Sequence, residues 1–170
     1  MDRRSAIVGF VFALAAGAAD RFPHVEAEAL SGRKLTLPDA SAGTPALIVI
    51  GFTHGSNEQV KAWTERAGKE IPAKSVYTLV ELESAPRMVR GMIRSSIKGS
   101  TPKEHYDRFV IDYQHEQELK TAAGYEAGND AYLVLIDGQG QVVWRAHGPP
   151  NDQMAAELKR LFAHYTLNGN

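Results

Sequence analysis

The residue types best suited to chemistry sit in "ALIVIGFTHGSNEQVKAW", Ala46 to Trp63, where His54, Ser56 and Asn57 separate an apolar run from a helical pattern. A serine beside an imidazole becomes a nucleophile when a third group orients the base. Here His54 would have to reach across two residues of tight turn, and no Gly-x-Ser-x-Gly surrounds Ser56. The competing reading is structural. Ser56-Asn57-Glu58-Gln59 has the serine and glutamine spacing of a capping box, so Ser56 would satisfy amides of the first helical turn. The six histidines, His24, His54, His105, His115, His147 and His164, include no pair at i, i+4. A metal site would have to be assembled from distant positions, with His54 and His147 the best placed after core strands. Solvated or locally bonded histidines are the default, so neither a metal nor a cofactor is expected. The chain has no cysteine, hence no thiol for redox work, disulfide formation or soft-metal binding.

Two other groups stand out. Arg87, Arg90, Arg94 and Lys98 share one side of a helical wheel opposite Val89, Met92 and Ile93, and no acid lies between Ser84 and Lys98. Such a stripe is either a solvated outer face or a docking face for anionic lipid or an acidic partner. Asn129 and Asp130 precede an apolar strand and suit a turn in which Asx side chains bond local backbone. Alternatively they rim a groove together with His54, Ser56 and Asn57.

The chain of 170 residues is long enough for one domain with its own core. With 19 basic against 20 acidic side chains it has no global field to draw it to nucleic acid. Residues 1–19 read as a secretory signal: Arg3 and Arg4, an apolar run from Ala6 to Ala16, then Ala-Gly-Ala. Residues 20–170 form the expected domain, periplasmic or secreted after cleavage.

Along that domain, Ala46 to Phe52 reads as a central strand covered on both faces. Val60, Trp63, Ala67 and Ile71 mark one side of a helix from Asn57, with Trp63 in the core. Ser75 to Glu83 gives the next strand. A helix follows from about Ala85, with Ser84 as N-cap and Val89, Met92, Ile93 and Ile97 on its buried side. Asp107 to Tyr113 gives a strand, and Glu116 to Ala123 a helix stopped by Gly124. A hairpin turns at Asp137 to Gly140, with Trp144 expected in the core, and a last helix carries Met154, Leu158, Leu161 and Phe162. Strands interleaved with helices imply an α/β mixed sheet with helices on both faces, ended by a hairpin and helix.

With the leader, "LSGRKLTLPDASAGTPALIVIGF", the junction at His54 to Glu58, and "YEAGNDAYLVLIDGQGQVVWRAHGPPNDQMAAELKRL" resemble the thioredoxin-like superfamily, closest to its exported cytochrome-maturation-type and peroxiredoxin-like branches. The resemblance covers about Phe22 to Phe162. It places Gly55-Ser56-Asn57-Glu58 where the family has Cys-x-x-Cys and Ala131 where it has a cis-proline; a peroxiredoxin overlay puts Ser56 at the reactive position. A helix N-terminus lowers a thiol pKa enough to give thiolate, which a serine hydroxyl starts too high to match. Without proline the peptide before Ala131 is expected to be trans. A narrower likeness is to the cysteine-free mitochondrial ATP synthase assembly factors, carried by Trp63, Asn129, Tyr132-Leu133 and Gly140 to Trp144.

The resemblance implies a redox-inactive binding, assembly or chaperone module whose former active-site groove, His54, Gly55, Ser56, Asn57, Asn129, Asp130 and Ala131, receives a protein or peptide client. The alternatives are a residual hydrolase or metal-dependent activity centred on His54 and Ser56, or peripheral contact with anionic membrane through Arg87, Arg90, Arg94 and Lys98.

Overall fold

The run from Ala46 to Gly51 is buried at every position and forms β3, an interior strand of the sheet. A computed structural model describes residues 20–168, so the leader expected at residues 1–19 lies outside the described residues. The remaining elements are β1 (Val25–Ala29), β2 (Lys34–Leu37), α1 (Asn57–Glu70), β4 (Val76–Glu81), α2 (Arg87–Ser100), β5 (Phe109–Asp112), α3 (Glu116–Ala123), β6 (Ala131–Ile136), β7 (Val142–His147) and α4 (Asp152–Asn168).

The seven strands make one sheet in the order β2-β1-β5-β4-β3-β6-β7. β3, β4 and β5 run parallel, as the α1 and α2 crossovers require. Antiparallel hairpins flank them, β1–β2 through β5 and β6–β7 through β3. Alternation along β3 sends Ile48 and Ile50 to one face with Phe22, Leu79, Leu119 and Tyr132. Leu47 and Val49 go to the other, under Val60, Trp63, Leu158 and Phe162 of α1 and α4. The sheet is thus covered on both faces.

The last residue of β3 sets the entry to α1. A Cβ on Gly51 would lie 3.0 Å from a methyl of Val60 and 3.1 Å from Ser56 Oγ, so the small residue lets the helix start close over the strand. The Asp137–Gly140 turn and the end of α3 at Gly124, which has φ 65°, follow the sequence expectation.

Three local expectations fail. α2 begins at Arg87, with Pro86 in the cap position, because a residue preceding proline is disfavoured in helical geometry. Ser84 is therefore no N-cap; its hydroxyl donates to Glu116 Oε2 at 2.6 Å. Met92, placed on the buried side by its spacing, is 69% exposed, and Met88 is 97% exposed. Trp144 is half-buried against the α1–α4 side of the core, whereas Trp63 is fully buried.

Candidate functional site

The junction between β3 and α1 is a single tight turn, His54–Ser56, after Thr53. Ser56 has no exposed surface, and its Oγ donates to Thr53 O at 2.8 Å. The expected capping box is absent, since no side-chain bond caps α1. Gln59 is used elsewhere: its Oε1 accepts from Ala131 N at 3.0 Å and its Nε2 donates to Asp130 Oδ1 at 3.4 Å. The hydrolase alternative fails on the same geometry. His54 Nδ1 contacts Asn57 Nδ2 at 3.2 Å, while Ser56 is sealed and engaged with backbone, so neither an activated nor an accessible nucleophile is formed.

Facing this turn is the segment from Tyr125 to Asp130, which several bonds hold in place. Thr53 Oγ1 donates to Gly128 O. The buried Tyr132 hydroxyl accepts from Glu126 N at 2.8 Å and Ala127 N at 2.7 Å and donates to Ala127 O at 2.9 Å. Phe52, Tyr125, Tyr132 and His147 form a continuous aromatic cluster beneath. Asn129 lies over Gly55, where an added Cβ would come within 2.3 Å of its Oδ1. Asp130 accepts from the His147 ring at 2.8 Å, and that bond, helped by Gln59, holds its carboxyl below the usual range. Ala131 is buried at the start of β6, and its preceding peptide is trans.

Of the seven residues expected to rim a groove, His54, Gly55, Asn57 and Asn129 are exposed, Asp130 is half-buried, and Ser56 and Ala131 are interior. On the α2 side the same turn opens into a cleft of about 550 Å³ lined by Phe52, Thr53, His54, Asn57, Met92 and Ile93 among others.

The expected basic face is divided. Arg87 is exposed, but Arg90 donates to Glu83 O and Ala85 O and lies over the Tyr113 ring. Arg94 pairs with Glu28 at 2.9 Å and donates to Ala29 O, and Lys98 lies over the Tyr106 ring. Two of the four charges therefore serve as struts between α2 and its surroundings. Reversing Arg94 to Glu is expected to destabilise the fold by about 1 kcal/mol or more in urea titration, because it sets like charges together and frees a carbonyl. Arg87→Glu should change stability by under about 0.5 kcal/mol; equal effects would show that Arg94 is not a strut.

His147 is held by Asp130 and has Glu126 at 3.6 Å, rather than pairing with His54. Among the described residues, the one group of three side chains close enough to share an ion is Glu81, Glu83 and Glu116. Its members already have partners: Glu81 accepts from Glu83 N, Glu83 accepts from Glu116 N, and Glu116 accepts from Ser84 and Lys120. Lys120 and Ser84 hold the Glu116 carboxyl below its usual range. Burial pushes Glu81 up to about 7, against the lowering effect of the Glu83 amide.

Sequence reasoning gave Gln59 to a capping box and Tyr132 only to a family likeness, and missed both their bonds to the 126–131 segment and the burial of Glu81. A tyrosine within an otherwise aliphatic run was the available signal, since a buried hydroxyl needs a partner. No family model matches the chain, and no curated protein matches it. Solved structures do. The pneumococcal exposed lipoprotein thioredoxin Etrx1 of Streptococcus pneumoniae superposes with a TM-score of 0.58 at 16% identity, covering 81% of this chain and 99% of that one. BsSco, a member of the Sco family of cytochrome c oxidase assembly proteins, gives 0.57 at 11% identity over 86% and 95%. The thioredoxin domain of a thiol-disulfide oxidoreductase from Bacteroides vulgatus gives 0.56 at 13% over 85% and 96%.

The fold is thioredoxin-like. The turn onto which the sequence resemblance lays Cys-x-x-Cys holds Gly55, Ser56, Asn57 and Glu58, and with no cysteine in the chain thiol–disulfide exchange has no thiol to proceed through. Serine does not substitute for it, because its hydroxyl is an interior strut of the turn. What the thioredoxin-like scaffold retains there is surface: His54, Gly55, Asn57 and Asn129, with the cleft beside them.

Proposed function

We propose that this protein is a redox-inactive binding or assembly module that holds a polypeptide client at the turn between β3 and α1. The observation that carries this reading is the contrast within one turn. Ser56, at the position that would react, is locked inside, while His54 and Asn57 face an open cleft continuous with apolar side chains of α2. A surface built this way offers contact area and hydrogen-bonding groups but no nucleophile, which suits binding rather than turnover. Exposed Met92 in its lining suits an adaptable contact.

The likeness to an assembly protein such as BsSco supports the reading at the level of fold. The leader pattern at residues 1–19 supports an exported setting, and no helix among the described residues is long and apolar enough to cross a membrane. The test is a photo-crosslinking residue at Asn57, with the same probe at Arg160 on α4 as control. A discrete client captured from Asn57 alone is the expected result. Equal capture from both positions, or none from Asn57, would overturn the reading.

A further inference from the structure

α2 is strongly amphipathic, with Val89, Ile93 and Ile97 at i, i+4 and i+8, yet none of its residues is buried. The other helices seal their apolar faces: α1 with Val60, Trp63 and Ala67, α3 with Leu119, Ala122 and Ala123, α4 with Ala155, Leu158 and Phe162. Between α2 and α1 run two depressions of about 240 and 550 Å³ that share Asn57, Val80 and Ile97. They make one groove from Phe52 and His54 at the turn to Thr101 and Pro102 beyond α2.

The two walls differ in charge. α1 contributes Glu58 and Glu65, seven residues and therefore about 10 Å apart on one side of the helix, with Lys61 between them. Neither carboxylate has an ion-pair partner among the described residues, whereas Glu28, Glu70 and Glu116 all do. α2 lines its wall with Ser96, Ser100 and aliphatic side chains. Three of its four cations are drawn to other groups, Arg90 to backbone carbonyls and Tyr113, Arg94 to Glu28, Lys98 to Tyr106, and exposed Arg87 does not line the groove. The groove is thus an apolar trough whose α1 wall carries two carboxylates and one lysine, a net negative charge with none of the three in an ion pair among the described residues. Anionic lipid entering the groove would meet those carboxylates.

We infer that this groove takes a polypeptide segment in which aliphatic side chains stand next to lysine or arginine, the aliphatic groups covering Val80, Ile93 and Ile97 and the cations meeting Glu58 and Glu65. The inference rests on the polypeptide-binding reading above and names the chemistry of the client and where it lies. Aliphatic burial supplies affinity, and the carboxylates select against acidic segments.

The test is selection of a random octapeptide display library on the full protein and, in parallel, on E58K/E65K, whose changed residues are both exposed. The wild type should enrich Leu, Ile, Met or Val beside Lys or Arg, and a synthetic peptide of the enriched sequence should bind E58K/E65K at least tenfold more weakly. The same motif from both proteins, an acidic motif from the wild type, or no enrichment would overturn the inference. So would phosphatidylglycerol vesicles binding as well as the peptide, or a concentration-dependent dimer abolished by Met92→Lys. A client crosslinked from Asn57 through an acidic segment would overturn this inference and leave the binding reading standing; failure of the crosslink itself would overturn the latter.

Discussion

Replacing Glu81 by glutamine will remove a loss of stability that the wild-type protein suffers between about pH 4.5 and pH 7. Glu81 ends β4, is almost wholly buried, and has Glu83, Asp112 and Glu116 as its charged acidic neighbours, with Lys120 the nearby cation. Burial raises its pKa from 4.5 to about 7, so the folded state binds a proton that the unfolded state releases across that interval. The favourable contribution is therefore complete below pH 4.5 and is lost as the pH rises through about 7. A shift of that size corresponds to up to about 3 kcal/mol, or a fall in Tm on the order of 5–10 °C for a domain of this length. Glutamine keeps the shape and cannot ionise. The measurement is Tm against pH for both proteins; the histidines titrate in both, so the difference curve isolates Glu81. Parallel curves would show that Glu81 is ionised throughout.

The second large effect belongs to Trp63. Its ring is fully buried between α1 and the sheet, and its Nε1 donates to Gly148 O at 2.8 Å, tying α1 to the end of β7. Trp63→Ala should cost about 3–5 kcal/mol through lost burial and the cavity left behind. Trp63→Phe keeps much of the ring but leaves the buried Gly148 carbonyl without its donor, a cost of about 1–3 kcal/mol. Urea titration followed by far-UV circular dichroism gives both values. A phenylalanine variant as stable as wild type would show that the indole bond contributes nothing.

Much of the architecture was legible because its signals are local. The unbroken apolar run of Ala46 to Gly51, the spacing of Val60, Trp63 and Ala67, and the glycines around Asp137 each admit one reading. The site was legible only in part. Ser56 and Gln59 have capping-box spacing, but Gln59 finds Asp130 and Ala131, far away in sequence, and a competition of that kind leaves no local trace. The wheel placed Arg90, Arg94 and Lys98 together correctly and mistook what they face, because long side chains can turn back to carbonyls and rings that spacing does not reveal. An acidic residue ending a strand reads as a boundary, which hides a carboxyl as deeply buried as Glu81.

The placement of the first hairpin bears on how the chain acquires its shape. β1 and β2 are synthesised before every other strand, yet they join the sheet only through β5, Glu28 opposite Ile111 and Ala29 opposite Val110. β5 in turn reaches its position only when α2 has carried it across beside β4. In synthesis from the N-terminus, the hairpin must wait with Val25, Leu30 and Leu37 uncovered until β5 follows, about 70 residues later. Contacts of such long sequence separation form slowly, and an unpaired edge that waits is exposed to wrong partners. The interval before β5 arrives therefore leaves the inner edge of this hairpin without its partner strand.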